Sequence, residues 1–270
     1  MEGIFNNLLK RIFTIIIGVP LIFIMLFWGN IPIFIVVLLL AGFGLIELFS
    51  MARKKGFEPH WALGFILTFY FIFLTIYDFN DLKYDKNIII VFIIILFTII
   101  QLYKKDYQTV LSNISITIFG SIYLGYLSSF ILKIKILPNG NYYLISLLLI
   151  TWINDSAAYL IGSKFGKNKI FPRISPKKSI EGAIGGMVFS VISIFAFKNW
   201  LNLPFTQLIF FGLIISIIAQ IGDFFESMIK RDSGVKDSGS IVPGHGGILD
   251  CFDSLLFTAP VFYCYITFLT

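Results

Sequence analysis

Nine apolar runs joined by polar connectors govern what this 270-residue chain can become. They lie at Ile12–Trp28, Ile31–Ser50, Trp61–Asp78, Ile88–Tyr103, Val110–Leu132, Tyr142–Gly162, Ala183–Trp200, Phe205–Gly222 and Ile248–Thr270. Each is about 16 to 24 residues long, the length at which a helix crosses about 30 Å of hydrocarbon. Backbone in lipid must satisfy its own N–H and C=O groups, and a helix does so within one segment. The expected fold is therefore all-α: a polytopic integral membrane protein of about nine transmembrane helices. No internal repeat argues for an inverted-repeat transporter, and no linker marks a second domain, so residues 1–270 are read as one membrane domain.

Composition agrees, with 57% hydrophobic and 13% charged residues and a mean hydropathy of +0.89. Phe scattered through Ile- and Leu-rich runs reads as lipid-facing bulk. A net charge of +6 suits nucleic-acid binding in a soluble protein. Here no basic soluble domain exists to do it, and positive charge in cytoplasmic loops is the better explanation. With the N-terminus cytoplasmic, 16 of the 21 Lys and Arg residues fall on the inner side and 5 on the outer. The five are Lys83, Lys86, Lys133, Lys135 and Lys198; Lys133 and Lys135 fit least well. The start, MEGIFNNLLKR, has the pattern of a helix lying on the membrane surface. The run after it is longer than a signal core and lacks a small-residue cleavage pattern, so it reads as a retained first span. Cys251 and Cys264 are too few for a disulfide framework or a zinc site.

Two connectors expected in the cytoplasm, Ser163–Gly182 and Lys230–Gly247, are longer and more polar than the rest. The sixth run places Asp155 about two turns inside the boundary, where a carboxylate costs a few kcal/mol unless paired, protonated or bound to a cation. The connector after it groups Lys164, Lys167, Lys169, Arg173, Lys177 and Lys178 with Ser175, Glu181 and Gly182 at the entrance to the next helix. Free N–H groups at a helix start receive phosphate. At the end of the eighth run, Asp223, Glu226, Ser227 and Lys230 fall at i, i+3, i+4 and i+7, one stripe on one helix face. The ninth run opens with Asp250 and Asp253, immediately after Pro243-Gly244-His245-Gly246-Gly247.

Asp223 and Asp250 lie near the same membrane face and can meet. Two carboxylates about 4 Å apart repel by roughly 4 kcal/mol at an effective dielectric of 20, and a divalent cation removes that penalty. Oxygen-only ligands favour Mg²⁺, which bridges carboxylates to phosphates. His245 with its glycines reads as a backbone turn approaching phosphate. Glu47, near the inner end of the second run, reads as an interfacial carboxylate in preference to a distant contributor to the site. Lysines, a carboxylate-held Mg²⁺ and glycine loops together describe a polyphosphate site at the membrane surface, hence phosphoryl or nucleotidyl transfer.

The stretch Ser227-x-x-Lys230-Arg231, Lys236-Asp237-Ser238-Gly239, Pro243–Gly247 and Asp250-x-x-Asp253 resembles the signature of the phosphatidate cytidylyltransferase (CDP-diacylglycerol synthase) family. So does the block Trp152, Asp155, Ala158-Tyr159, Gly162, Gly166-Lys167, Ser175–Lys178 and Glu181-Gly182. The resemblance implies transfer of CMP from CTP to phosphatidic acid, releasing pyrophosphate, in a homodimer in the cell membrane with its site facing the cytoplasm. It implies Mg²⁺ held by Asp223 and Asp250, a K⁺ beside it, and a catalytic half over about 142–270. Asp223, Asp250, Lys230, Lys236 and Asp253 are the expected catalytic residues. Asp155, Lys167, Ser175, Lys178, Glu181, Ser227, Arg231, His245, Gly246 and Gly247 are the expected substrate-binding ones. Cys251 stands where the family usually has Arg, which removes five donors and a charge. The alternatives are another CTP-dependent lipid cytidylyltransferase or a lipid kinase of the same superfamily and, from a different class, an ion or proton transporter. The transporter needs neither the glycine loop nor the lysines.

Overall fold

The computed structural model describes residues 2–76, 88–102, 108–244 and 246–269. Among them the chain is helical, with two isolated bridges, Lys169 to Ser179 and Val242 to Gly246. The helices are α1 (Glu2–Trp28), α2 (Asn30–Lys54), α3 (Trp61–Ile76), α4 (Ile88–Leu102), α5 (Val110–Ser121) and α6 (Leu127–Ile136). There follow α7 (Gly140–Phe165), α8 (Ile180–Ile194), α9 (Lys198–Leu201), α10 (Phe205–Asp232) and α11 (Leu249–Leu269). A π turn, Ile122–Tyr126, joins α5 to α6, and a 3₁₀ turn, Phe195–Phe197, joins α8 to α9.

Among the described residues six helical segments are long and apolar enough to cross a membrane: Asn30–Lys54, Val110–Ile136, Gly140–Phe165, Ile180–Leu201, Phe205–Asp232 and Leu249–Phe268. Ile16–Trp28, Trp61–Ile76 and Ile90–Ile100 are apolar but shorter. The protein is thus an all-α, polytopic membrane protein. Hydroxyls along the spans donate back to their own helix, Thr117 to the Asn113 carbonyl at 2.7 Å and Thr151 to that of Leu147 at 2.8 Å. These two hydroxyls are thereby carried through lipid without an orphaned donor.

Helix α10 runs on beyond the apolar run to Asp232, as the helical spacing of Asp223, Glu226, Ser227 and Lys230 predicts, and Lys230 and Arg231 complement the dipole in its last turn. One boundary differs from the sequence reading. Lys133 and Lys135 stand in α6 rather than in an outer loop. Lys135 is buried, donating to the Leu26 carbonyl at 2.5 Å and to Asn141 Oδ1, and Lys133 lies over the Phe130 ring at 4.1 Å. Lys83, Lys86, Lys104 and Lys105 lie outside the described residues.

The site is positioned by close packing of α7, α8, α10 and α11. Helices α7 and α8 touch backbone to backbone: a Cβ added at Gly182 would meet the Ala158 carbonyl oxygen at 2.7 Å, the small-residue contact by which membrane helices approach. Buried Asn154 accepts from Ser216 Oγ at 2.5 Å and donates to Asp155 Oδ1 at 2.9 Å; Gln220 donates to the Ala183 carbonyl at 3.2 Å. That chain ties α7, α10 and α8 together beneath Asp155. Farther along, Phe211 of α10 stacks on Tyr265 of α11 at 4.1 Å. Helices α2 and α3 and the π turn build the other side, where Gly125 lies against the Thr68 backbone.

Candidate active site

The C-terminal stripe of α10 is the seam at which the two polar connectors meet. From one side Lys178 brings its Nζ to 2.5 Å from Asp223 Oδ1. From the other, Asp250 brings Oδ1 to 2.6 Å from Lys230 Nζ, which lies equally 2.6 Å from Glu226 Oε2. The contacts at Lys178 and Glu226 are close in distance but lack hydrogen-bond direction: Lys178 Nζ and both Glu226 oxygens are buried without a hydrogen-bond partner among the described residues. Both are charge contacts; the one at Glu226 lies in a poorly hydrated place, where attraction is stronger than in water, while Lys178 and Asp223 are partly exposed at the cavity.

The first connector is folded by its own polar groups. Ser179 caps α8, accepting from Gly182 N at 3.2 Å, the role Ser plays at helix starts. Glu181 reaches back to accept from Lys167 N and Asn168 N at 3.1 Å each and from Asn168 Nδ2 at 2.8 Å. Its carboxylate is therefore engaged in shaping the loop. Ser175 is half-buried in a turn, its N–H donating to the Phe171 carbonyl at 2.9 Å, and Lys167 is exposed. The result is a cavity of about 530 Å³ lined by Asp155, Tyr159, Lys177, Lys178, Gln220 and Asp223, within the size range of small-molecule sites.

In the second connector Asp250 acts as an anchor. Its Oδ2 accepts from Gly247 N at 2.8 Å, Ser238 N at 2.9 Å and Ser238 Oγ at 3.0 Å. Gly246 has φ +106°, a left-handed backbone, and a Cβ there would press on the Asp250 carboxylate, so glycine is required twice over. Arg231 directs Nε to the Ile174 carbonyl at 3.1 Å and Nη1 to that of Val235 at 3.0 Å, tying the two connectors to each other. Ser227 is buried on α10, Lys236 is exposed on the loop, and His245 lies outside the described residues.

The acidic residues fall into two groups. Asp253, buried, lies within electrostatic range of Asp223, Glu226 and Asp155, while Asp250 is bound up with Lys230 and the loop. The pair expected to share a metal is thus held by two different lysines. Among the described residues no group of three or more His, Cys, Asp or Glu side chains is placed to hold a metal ion. Mg²⁺, however, keeps several waters and takes one or two carboxylates with substrate phosphates. The donors here are all oxygens, and Asp223 and Asp250 each hold an ammonium group where a hard cation would sit. Their chemistry fits the ion.

Sequence reasoning ranked one contributor too low and passed over another. Glu47 of α2 does not face solvent: it is 3% exposed and accepts from Ile248 N, Leu249 N and Ser238 Oγ, each at 2.9 Å. The signal was its position as the single charged residue within Ile31–Ser50, since an ionisable group in a span marks function by default. Tyr123 of the π turn is buried among Phe119, Phe225 and Phe257, close enough to feel the charges of Asp253 and Glu226. Nothing in an apolar run announces a π turn.

Comparison with known proteins matches this geometry to one family. The model of the Cytidylyltransferase family matches residues 9–269. The chain is 32% identical over 258 residues to a phosphatidate cytidylyltransferase of Bacillus subtilis, covering 94% of this chain and 96% of that one. It is 37% identical over 240 residues to a phosphatidate cytidylyltransferase of Thermotoga maritima, covering 84% and 83%. A Staphylococcus aureus protein of the same name is 48% identical over 124 residues, covering 45% of this chain and 48% of its own. Matched from near one end to the other, the chain belongs to the cytidylyltransferase family, and it is a nucleotidyltransferase of the membrane.

Proposed function

We propose that this protein transfers CMP from CTP to phosphatidic acid, forming CDP-diacylglycerol and pyrophosphate, with Mg²⁺ at the site and the site at the cytoplasmic face of the cell membrane. The observation that carries the reading is the seam along α10, where Lys178 from the first connector, Lys230 from α10 itself and carboxylates from three helices converge beside a cavity open to a helix N-terminus. The sidedness rests on the distribution of Lys and Arg, the lipid substrate on the likeness to the named relatives. The working unit is one membrane domain, its catalytic half over about 142–270, paired as a homodimer. The K⁺ ion enters from the family resemblance alone.

In this mechanism a phosphate oxygen of the lipid attacks the α-phosphorus of CTP in line. A new P–O bond forms, the bond to the bridging oxygen of the β-phosphate breaks, and pyrophosphate leaves with that electron pair. No strong general base is needed, because a phosphate monoester is already anionic at neutral pH. Asp223 and Asp250 would hold Mg²⁺, which when bound neutralises charge on the triphosphate. Lys178 and Lys230, released from their carboxylates by the incoming anions, turn to phosphate oxygens and stabilise the charge that develops. Lys167, Lys236 and Arg231 raise the local potential for an anionic substrate. The glycine backbone at Gly246 and Gly247 lets a phosphate approach, with Ser175 and Ser227 as further polar contacts and Asp155 and Asp253 as the acidic floor.

The test is a single-turnover assay on the purified protein with CTP labelled at the α-phosphate and, separately, at the γ-phosphate. Lipid that acquires label from the α-position, and loses the activity in EDTA, is the expected result. Label entering from the γ-position identifies a kinase and overturns the proposal.

A further inference from the structure

We propose that Glu47 is a positioning residue of the site: from α2 it holds Ser238 and the first turn of α11, and through them it sets the orientation of Asp250. The inference rests on the cytidylyl-transfer reading for its activity measurement. Four observations lead to it. The carboxylate is buried, and its two oxygens accept three hydrogen bonds, Oε1 from Ile248 N and Oε2 from Leu249 N and Ser238 Oγ, all at 2.9 Å. Ser238 Oγ lies 3.0 Å from Asp250 Oδ2, and Ser238 N donates to the same oxygen. Asp250 in turn meets Lys230, so an unbroken polar chain runs from Glu47 to the middle of the site. Finally, a Cβ on either Gly239 or Gly247 would strike the Glu47 side chain, so the loop is closed down onto it.

The chemistry of that position calls for a carboxylate. The first N–H groups of a helix have no acceptor within the helix, and a nearby Ser, Thr, Asp or Asn usually supplies one. For α11 the acceptor comes from a residue about two hundred positions earlier in the chain. Negative charge there is also favoured by the helix dipole. All three groups facing Glu47 are donors, so an amide would turn an N–H against an N–H. The Ser238 hydroxyl has one proton and two carboxylate oxygens in reach, so it donates to one at a time. A change at Glu47 is therefore felt at Asp250 without contact between them or with substrate.

The test uses the full-length protein in detergent with Glu47→Gln, Ser238→Ala and the double variant. For Glu47→Gln we expect kcat to fall at least tenfold while KM for phosphatidic acid stays within twofold, because Glu47 touches neither substrate. The double variant should lose no more than the worse single variant, since both act through one linkage. Amide hydrogen exchange over residues 238–249 should accelerate at least tenfold in Glu47→Gln, with α3 unchanged. A kcat within twofold of wild type, losses that multiply in the double variant, or unchanged exchange overturns the proposal. If the wild-type protein transfers no CMP, the functional reading fails and the exchange measurement alone decides this one. If Glu47→Gln does not yield folded protein, Ser238→Ala carries the same kinetic and exchange expectations.

Discussion

The substitution Asp250→Asn isolates the charge of one side chain in a site where everything else can stay in place. Asp250 is nearly buried and has Lys230 at 2.6 Å on one oxygen and three donors on the other. Removing one member of a buried ion pair costs about 3–5 kcal/mol, largely from the charge left behind. Lys230 keeps Glu226 at 2.6 Å, so the lower figure applies, about 3 kcal/mol. That cost falls on the folded state and lowers the melting temperature; the lost charge beside the polyphosphate separately weakens transition-state stabilisation, and a loss of about 3 kcal/mol there is on the order of a hundredfold in rate. The measurement is the initial rate of label transfer from α-labelled CTP to phosphatidic acid, beside size-exclusion and thermal-unfolding profiles. The variant should elute and melt as a folded protein with kcat/KM reduced by about two orders of magnitude. Retention of more than a tenth of the wild-type value refutes the argument that Asp250 links loop, lysine and metal.

Further expectations follow from the same geometry. Lys178→Ala removes the cation at Asp223 and should raise KM for CTP and lower kcat, with a joint loss in kcat/KM of at least tenfold by steady-state kinetics. Gly182→Leu places a branched side chain where a Cβ would already meet the Ala158 carbonyl; overpacking costs about 1–3 kcal/mol or more. That variant should lose several degrees of thermal stability in detergent, and an unchanged melting profile disproves the backbone contact. Cys251→Arg puts a guanidinium among the charges of Asp250, Asp253, Glu47 and Glu226. It should be folded and at least as active as wild type, and a tenfold loss would show that the half-buried site has no room for it.

How much could be read in advance follows from how each feature is encoded. Spans such as α2 and α7 are written in long, predominantly apolar runs, which lipid allows few ways to satisfy. The stripe Asp223, Glu226, Ser227 and Lys230 was legible because helical spacing projects directly onto one face. Pairing across the chain was not. Spacing brings Asp223 and Asp250 to one membrane face, but nothing in it says that each is held by its own lysine, or that Glu181 and Arg231 spend their hydrogen bonds on shaping the connectors. Those outcomes depend on loop conformation, which polar residues settle by competing for the same donors. Glu47 shows the same limit from the other half: its partners lie at Ser238 and Leu249, beyond any local pattern.

At the opposite end of the bundle, Lys135 closes a different circle. Its ammonium reaches back across 109 residues to the last turn of α1, where carbonyls have no intrahelical donor. During synthesis from the N-terminus α1 is made long before that donor exists. Helix α1 therefore leaves the ribosome unfinished at this end, and the chain itself delivers the missing cap once α6 has been made.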